Sequence, residues 1–245
     1  MDASLYPDLH APKDGYVFVV TYGRSGSTLT QSLLNSIPGY CIRGENGNIP
    51  YFFSRAADLV MNNNMYSWRR EDKGKDSAEV RPYLKDIIGM PFDPWAGAEN
   101  VDPDDFLLSM MNLFVKKILQ PDEGCRVSGF KEIRFHEDPG FFRRYLNIIR
   151  DTFPNARFLF QTRNLDSVSK SSWWAAQPKE KVVQQLRSAE KLYQEYSREN
   201  PSITFTIEYE RYADGPEYVE SIFEFLNEPY DPKMVVSVLN RSLKH

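Results

Sequence analysis

Apolar and β-branched residues gather in four short runs, Tyr16 to Tyr22, Val127 to Ile133, Ala156 to Thr162 and Ile203 to Tyr209, each bounded by polar or turn-forming residues. Runs of this length and composition predict buried strands. Between them the apolar period lengthens to that of a helix. Leu29, Leu33, Leu34 and Ile37 share one face of Thr28 to Ile37, and Pro38-Gly39 then stops the helix. Tyr40-Cys41-Ile42 offers a further short strand, so the start of the chain reads as a βαβ unit. Asp102-Pro103 supplies an N-cap and first-turn proline for a helix through Leu119. Further helices are expected over Pro139 to Phe153, Pro178 to Asn200, Gly215 to Asn227 and Pro232 to Asn240. Alternation of this kind predicts an α/β phosphate-loop (P-loop) nucleotide-binding fold, its central, mostly parallel sheet flanked by helices, without giving the strand order.

The stretch from Asn62 to Asn100 interrupts the alternation, being rich in Asn, Pro, Gly and charge, with Tyr66, Trp68, Tyr83, Phe92 and Trp95 scattered through it. It is expected to be an insertion covering the sheet edge, either a substrate lid or an ordinary surface excursion. The 245 residues, 41% of them hydrophobic, suffice for one large α/β domain spanning 1–245. The net charge of −4 gives no global attraction to nucleic acid or an anionic membrane, and no basic tract with interleaved aromatics is present. An anion site must therefore be built locally. Val17 to Val20 is far too short to cross a bilayer and follows no signal-like leader, which points to a cytoplasmic protein. Cys41 and Cys125 are too few for a disulfide scaffold and lack metal-ligand spacing with the three histidines, so no metal is expected.

The strand ending at Tyr22 runs into Gly23-Arg24-Ser25-Gly26-Ser27-Thr28 and then directly into an amphipathic helix. Glycines permit a tight turn and close backbone approach, successive amides point inward, and the helix N-terminus adds positive potential. Such a loop grips a phosphate or sulfate. Arg24 adds charge-assisted hydrogen bonds, and the hydroxyls of Ser25, Ser27 and Thr28 supply donors or cap the helix. A Walker loop shares the geometry but carries Lys before its Ser or Thr, whereas Gly26 is followed by Ser27-Thr28. The absent lysine weakens an Mg-ATP-dependent kinase reading.

A second anion site is predicted where the strand Ala156 to Thr162 gives way to Arg163, with Ser171 on the helix that follows. The carboxyl end of a parallel strand is the edge where ligands of open α/β sheets bind. A surface salt bridge from Arg163 to Asp166 is the alternative. With both motifs in order, the chain resembles the sulfotransferase family. Thr21 to Leu29 fits the arginine-bearing version of that family's first motif, nearer to carbohydrate and tyrosylprotein sulfotransferases than to the cytosolic lysine type. Arg163 and Ser171 have the eight-residue spacing of its second. The resemblance implies 3′-phosphoadenosine-5′-phosphosulfate (PAPS) as donor and 3′-phosphoadenosine 5′-phosphate (PAP) as product. It gives the 5′-phosphosulfate to Gly23, Arg24, Ser25, Gly26, Ser27 and Thr28, and the 3′-phosphate to Arg163 and Ser171. Tyr209-Glu210 looks like a tyrosine and acidic pair common in the family. The basic C-terminal loop of cytosolic members is not evident, though Arg241 and Lys244 stand as substitutes.

Transfer to an alcohol needs a proton acceptor and cations for the sulfonate. Glu45, after the short strand and within Gly44-Glu45, is the first candidate for general base, and relatives acting on carbohydrates or tyrosine often have a glutamate there. His136 is the competing base, apt by its ordinary pKa but several residues past its strand end, where a loop or helix-capping role is favoured. Lys131 is placed to neutralise charge at the transferring sulfonate, as a lysine does in resembling enzymes, and Glu132 and Arg134 to orient the acceptor. Of Trp173 and Trp174, at most one is expected to face the site. The acceptor is expected to be a hydroxyl-bearing small molecule or glycan, with a carbohydrate or glycolipid favoured. A kinase and a non-catalytic nucleotide-binding module are the alternatives.

Overall fold

The structure is a computed structural model that describes residues 3–76 and 78–240. Among the described residues five strands form one parallel sheet: β1 (Gly15–Val20), β2 (Tyr40–Arg43), β3 (Val127–Glu132), β4 (Arg157–Thr162) and β5 (Thr204–Glu208), in the order β2-β3-β1-β4-β5. All five predicted strand regions are present. The sequence order leaves β1 in the middle, and the connections after β1 and β3 run to opposite sides of it. That reversal opens a crevice at the carboxyl ends of the strands.

Alternate residues of β1 point to opposite sides, and the two cores follow from this. Tyr16, Phe18 and Val20 join one cluster with α2 (Ile49–Asn62), α4 (Pro103–Phe114), α5 (Phe142–Thr152) and α7 (Lys179–Glu199). Val17 and Val19 join the other with α1 (Ser27–Leu34), α8 (Pro216–Leu226) and α9 (Pro232–Leu239). The sheet is thus buried on both faces, as parallel sheets are. Asp102 caps α4 by accepting from the amides of Asp104 and Asp105, and the helix runs on through a π turn, Val115–Leu119.

Residues 64–100 are organised around a buried arginine. In α3 (Asn64–Asp72), the Arg69 guanidinium lies 2.8 Å from Asp93 and 3.0 Å from Glu99, with Arg69 and Asp93 almost wholly buried. α3 packs mainly on α2 and on the turn Ala98–Asn100. Among the described residues no helix is long and apolar enough to cross a membrane.

Candidate active site

β1 ends at Val20 and α1 starts at Ser27, so the turn between them carries the glycine motif. Arg24 and Gly26 take left-handed backbone conformations, φ 69° and 82°. Gly26 is the N-cap of α1 and offers no side-chain cap. The expected capping by a loop hydroxyl therefore does not occur, because the turn places glycine there. A Cβ on Gly26 would fall 2.2 Å from the Tyr209 ring, and one on Gly23 would fall 2.4 Å from Trp173. Gly26 is favoured by its left-handed turn as well as by its close neighbour, and Gly23 by its close neighbour alone. Gly23, Arg24, Gly26, Ser27 and Thr28 line a cleft of about 450 Å³ together with Glu45, Lys131 and Arg163. Ser25 is fully buried instead, its hydroxyl without a partner.

The loop is held from behind by residues that the motif does not contain. Gln161 of β4 donates from Nε2 to the Ser25 carbonyl at 2.9 Å, and its Oε1 accepts from the Thr30 hydroxyl at 2.5 Å. Thr30 in turn lies 2.7 Å from the Tyr212 hydroxyl. All three side chains are buried, so this network fixes the loop against β4 and α1.

Register explains the second motif. Phe160 of β4 lies opposite Val20 of β1, so three residues further on Arg163 comes level with Gly23. Arg163 donates from Nη1 to the Arg24 carbonyl at 3.1 Å, and its guanidinium stacks on Tyr209 with 4.4 Å from Cζ to the ring centroid. Its Nε is buried without a partner. Its amide donates to the Tyr22 hydroxyl at 2.9 Å, which donates to Glu190 at 2.7 Å. Burial, and after it the Glu190 carboxylate, push the Tyr22 phenol up, so it stays a proton donor. Asp166 pairs with Lys170 and Lys179 rather than with Arg163. Ser171 is not on a helix as expected. The helix α6 (Leu165–Ser169) is short, and Ser171 follows it in extended conformation before a 3-10 turn over Ser172–Ala176. The extended backbone lets its hydroxyl accept from Arg24 Nε at 3.0 Å. Both residues of the second motif therefore converge on Arg24 of the first.

The opposite wall of the cleft comes from β2 and β3. Arg43 lies opposite Phe130, and carrying that register on brings Glu45 level with Glu132 and beside Lys131. Lys131 Nζ is 2.7 Å from Glu45 Oε1, and Arg134 Nη1 is 3.5 Å from Oε2. Glu132 does not face an acceptor as expected. Its carboxylate is 0% exposed and accepts from the amides of Asn46 (3.2 Å), Asn48 (2.8 Å) and Ile133 (2.8 Å) and from Arg134 (2.9 Å). It pins the turn that carries Glu45. His136 lies in a 3-10 turn, 7% exposed, with Nδ1 3.4 Å from the Tyr193 hydroxyl. Burial lowers its pKa from 6.5 to about 4, partly offset by a hydrogen bond to the Thr21 backbone.

Trp173 is half-exposed and lines the cleft, while Trp174 is buried and donates from its indole to the Gly23 carbonyl at 3.0 Å. Tyr209 and Leu239 also line the cleft, bringing in the end of β5 and the C-terminal helix α9. Arg241 and Lys244 lie outside the described residues. Sequence reasoning missed Gln161, Tyr212, Tyr22 and Glu190. Their partners lie far away along the chain, and no local pattern marks them.

A glycine loop over the first strand of a parallel sheet, faced by cations from neighbouring strand ends, defines the class of α/β phosphate-loop proteins that hold an oxyanion at this edge. Within that class, the sequence model of the sulfotransferase family matches residues 16–232, and the chain belongs to that family. The sulfotransferase domain of the Synechococcus PCC 7002 olefin synthase shares the fold at 16% identity, with 93% of this chain aligned to 78% of that one at a TM-score of 0.55. A sulfotransferase from Alicyclobacillus acidocaldarius is also 16% identical over 93% of this chain and 85% of that one, with a TM-score of 0.46. No curated protein sequence matches at a significant level.

Proposed function

We propose that this sulfotransferase takes its sulfuryl group from PAPS and passes it to a hydroxyl of a carbohydrate or glycolipid, with Glu45 as the general base and the whole chain acting as one domain. The observation that carries the reading is the Glu45–Lys131 pair at 2.7 Å, set on neighbouring strand ends at the rim of the phosphate-loop cleft. A carboxylate and an ammonium side by side suit a reaction in which a hydroxyl loses a proton while negative charge is redistributed on a sulfonate.

The residues fit such a donor. Ser25 Oγ and Arg163 Nε are buried polar atoms without partners, and Arg24 joins the two motifs through its side chain and its carbonyl. PAPS supplies an activated sulfur whose leaving group is a phosphate. The loop Gly23 to Thr28 would hold the 5′-phosphosulfate, and Arg163 with Ser171 the 3′-phosphate. The acceptor oxygen forms the new S–O bond as the bond to the phosphate breaks, its proton passes to Glu45, and PAP leaves with the electron pair. Lys131 neutralises charge beside the transferring group. Glu45 is favoured over His136 because a buried imidazole with its pKa near 4 is a weak proton acceptor.

The missing Walker lysine still counts against a kinase, since no residue between Gly26 and Thr28 carries a charge. Radiolabelled PAPS incubated with hydroxyl acceptors tests the proposal. Label passing to an acceptor hydroxyl with release of PAP is the expected result. Absence of transfer, together with turnover of Mg-ATP, would overturn it in favour of the kinase.

A further inference from the structure

We infer that a second hollow beside the phosphate-loop cleft is the acceptor subsite and that it takes a neutral glycoside, with Trp173 as the platform for the sugar ring. The inference rests on the sulfuryl-transfer reading above. The hollow measures about 460 Å³ and shares Gly23, Glu45, Ile133 and Trp173 with the cleft. Glu45 borders both spaces. That is the position a base needs when the donor lies on one side and the acceptor hydroxyl on the other.

The two spaces differ in charge. Arg24, Lys131 and Arg163 line the cleft, as an anionic donor requires. The hollow adds Arg134, His136, Glu137, Trp174 and Gln185 instead, and the buried His136, its pKa lowered to about 4, brings no cation at neutral pH. Arg134 is already paired with Glu132 at 2.9 Å and Glu45 at 3.5 Å. An anionic acceptor would meet the carboxylates of Glu45 and Glu137 with that cation engaged, so a neutral molecule is favoured. A simple alkyl chain would use Ile133 and Trp173 but leave the polar rim of Gln185, Glu137 and Arg134 desolvated and unpaired. A pyranoside matches both, because its C–H face suits an indole and its hydroxyls suit the rim. Trp173 is 50% exposed although it is a large aromatic residue, which leaves ring surface available to a ligand. The ring is also held in place, lying against Gly23, with the Arg24 guanidinium carbon 6.0 Å from its centroid.

Radiolabelled PAPS is offered with methyl glucopyranoside, methyl galactopyranoside, nitrophenol, octanol and a tyrosine peptide. The wild-type protein is compared with Gln185→Trp, which places a bulky ring in the hollow from the exposed surface of α7. PAP binding is measured calorimetrically on both proteins. At least one glycoside is expected to exceed nitrophenol, octanol and the peptide in kcat/KM by about tenfold or more, and Gln185→Trp to raise the glycoside KM by about tenfold while PAP affinity stays the same. PAP binding with no glycoside sulfated, with octanol, nitrophenol or peptide preferred, or with the glycoside KM unmoved in Gln185→Trp overturns the subsite alone. Failure of the wild-type protein to bind PAP overturns the donor reading and this assignment with it.

Discussion

The phosphate loop is one contiguous stretch from Gly23 to Thr28, whereas the Glu45–Lys131 pair facing it is assembled from two strand ends 86 positions apart. The loop is held from behind by neutral side chains, Gln161, Thr30 and Tyr212. The pair is held by a buried charge, since Glu132 gathers two amides of the turn that bears Glu45. Neutral support suits a loop that must present N–H groups and cations to an anion. A buried carboxylate behind the pair fixes the direction of one particular side chain. The difference predicts that donor binding and chemical turnover can be damaged separately.

Glu45→Gln gives the widest separation. Turnover is expected to fall by about 10² to 10⁴, the usual range for loss of a general base, with PAP affinity unchanged. Unchanged turnover would remove Glu45 from the chemistry. Arg163→Ala acts on the other side and should weaken PAP binding by roughly ten- to a hundredfold, about 1.5 to 3 kcal/mol for a lost charged hydrogen bond. Equal affinities in a titration would detach the second motif from the nucleotide.

Glu132→Gln tests the support of the pair. An amide would turn an N–H toward the amides that the carboxylate now accepts from, loosening the turn at Asn46 and Asn48. A fall in kcat of about tenfold is expected, from misplacement of Glu45 rather than loss of a reacting group, with PAP affinity unchanged. A matching loss of PAP affinity would show that the two sides share one support.

The smallest effect concerns His136 and stability. Its folded pKa of about 4 lies below the ordinary 6.5, so between these values the unfolded chain binds a proton that the folded chain does not. Stability from this residue is complete above about pH 6.5 and is lost as the pH falls toward 4, by at most about 1.4 kcal/mol per pH unit. Denaturant titrations at several pH values should show a shallower acid loss in His136→Gln than in the wild type. Equal slopes would mean that the imidazole is not held neutral by burial.

The contrast between the two sides also explains what could be read from the sequence. The loop was legible because its residues are adjacent and its strand and helix flank it directly. Glu45, Lys131 and Arg163 were legible as residues at strand ends, since a parallel sheet brings such ends to one edge. Ser171 was placed on a helix because nothing in Ser167 to Trp174 marks the break, which comes from Ser172 in a left-handed conformation. Glu132 was expected to orient the acceptor, and only the register of β1, β2 and β3 buries it. Residues 62–100 read as an irregular excursion for a related reason. Arg69, Asp93 and Glu99 look solvated one by one and form a buried cluster together. The helix α2 was not foreseen although Pro50 stands in its first turn, and its N-cap Asn48 is left-handed and makes no side-chain cap.

Calorimetric titration with PAP, with AMP and Mg-ATP as controls, tests the central claim most directly because it isolates the donor site from the acceptor. The account predicts that PAP binds strongly and AMP more weakly by roughly ten- to a hundredfold, the worth of the contacts to a 3′-phosphate. No binding of PAP, or a preference for Mg-ATP, would contradict it.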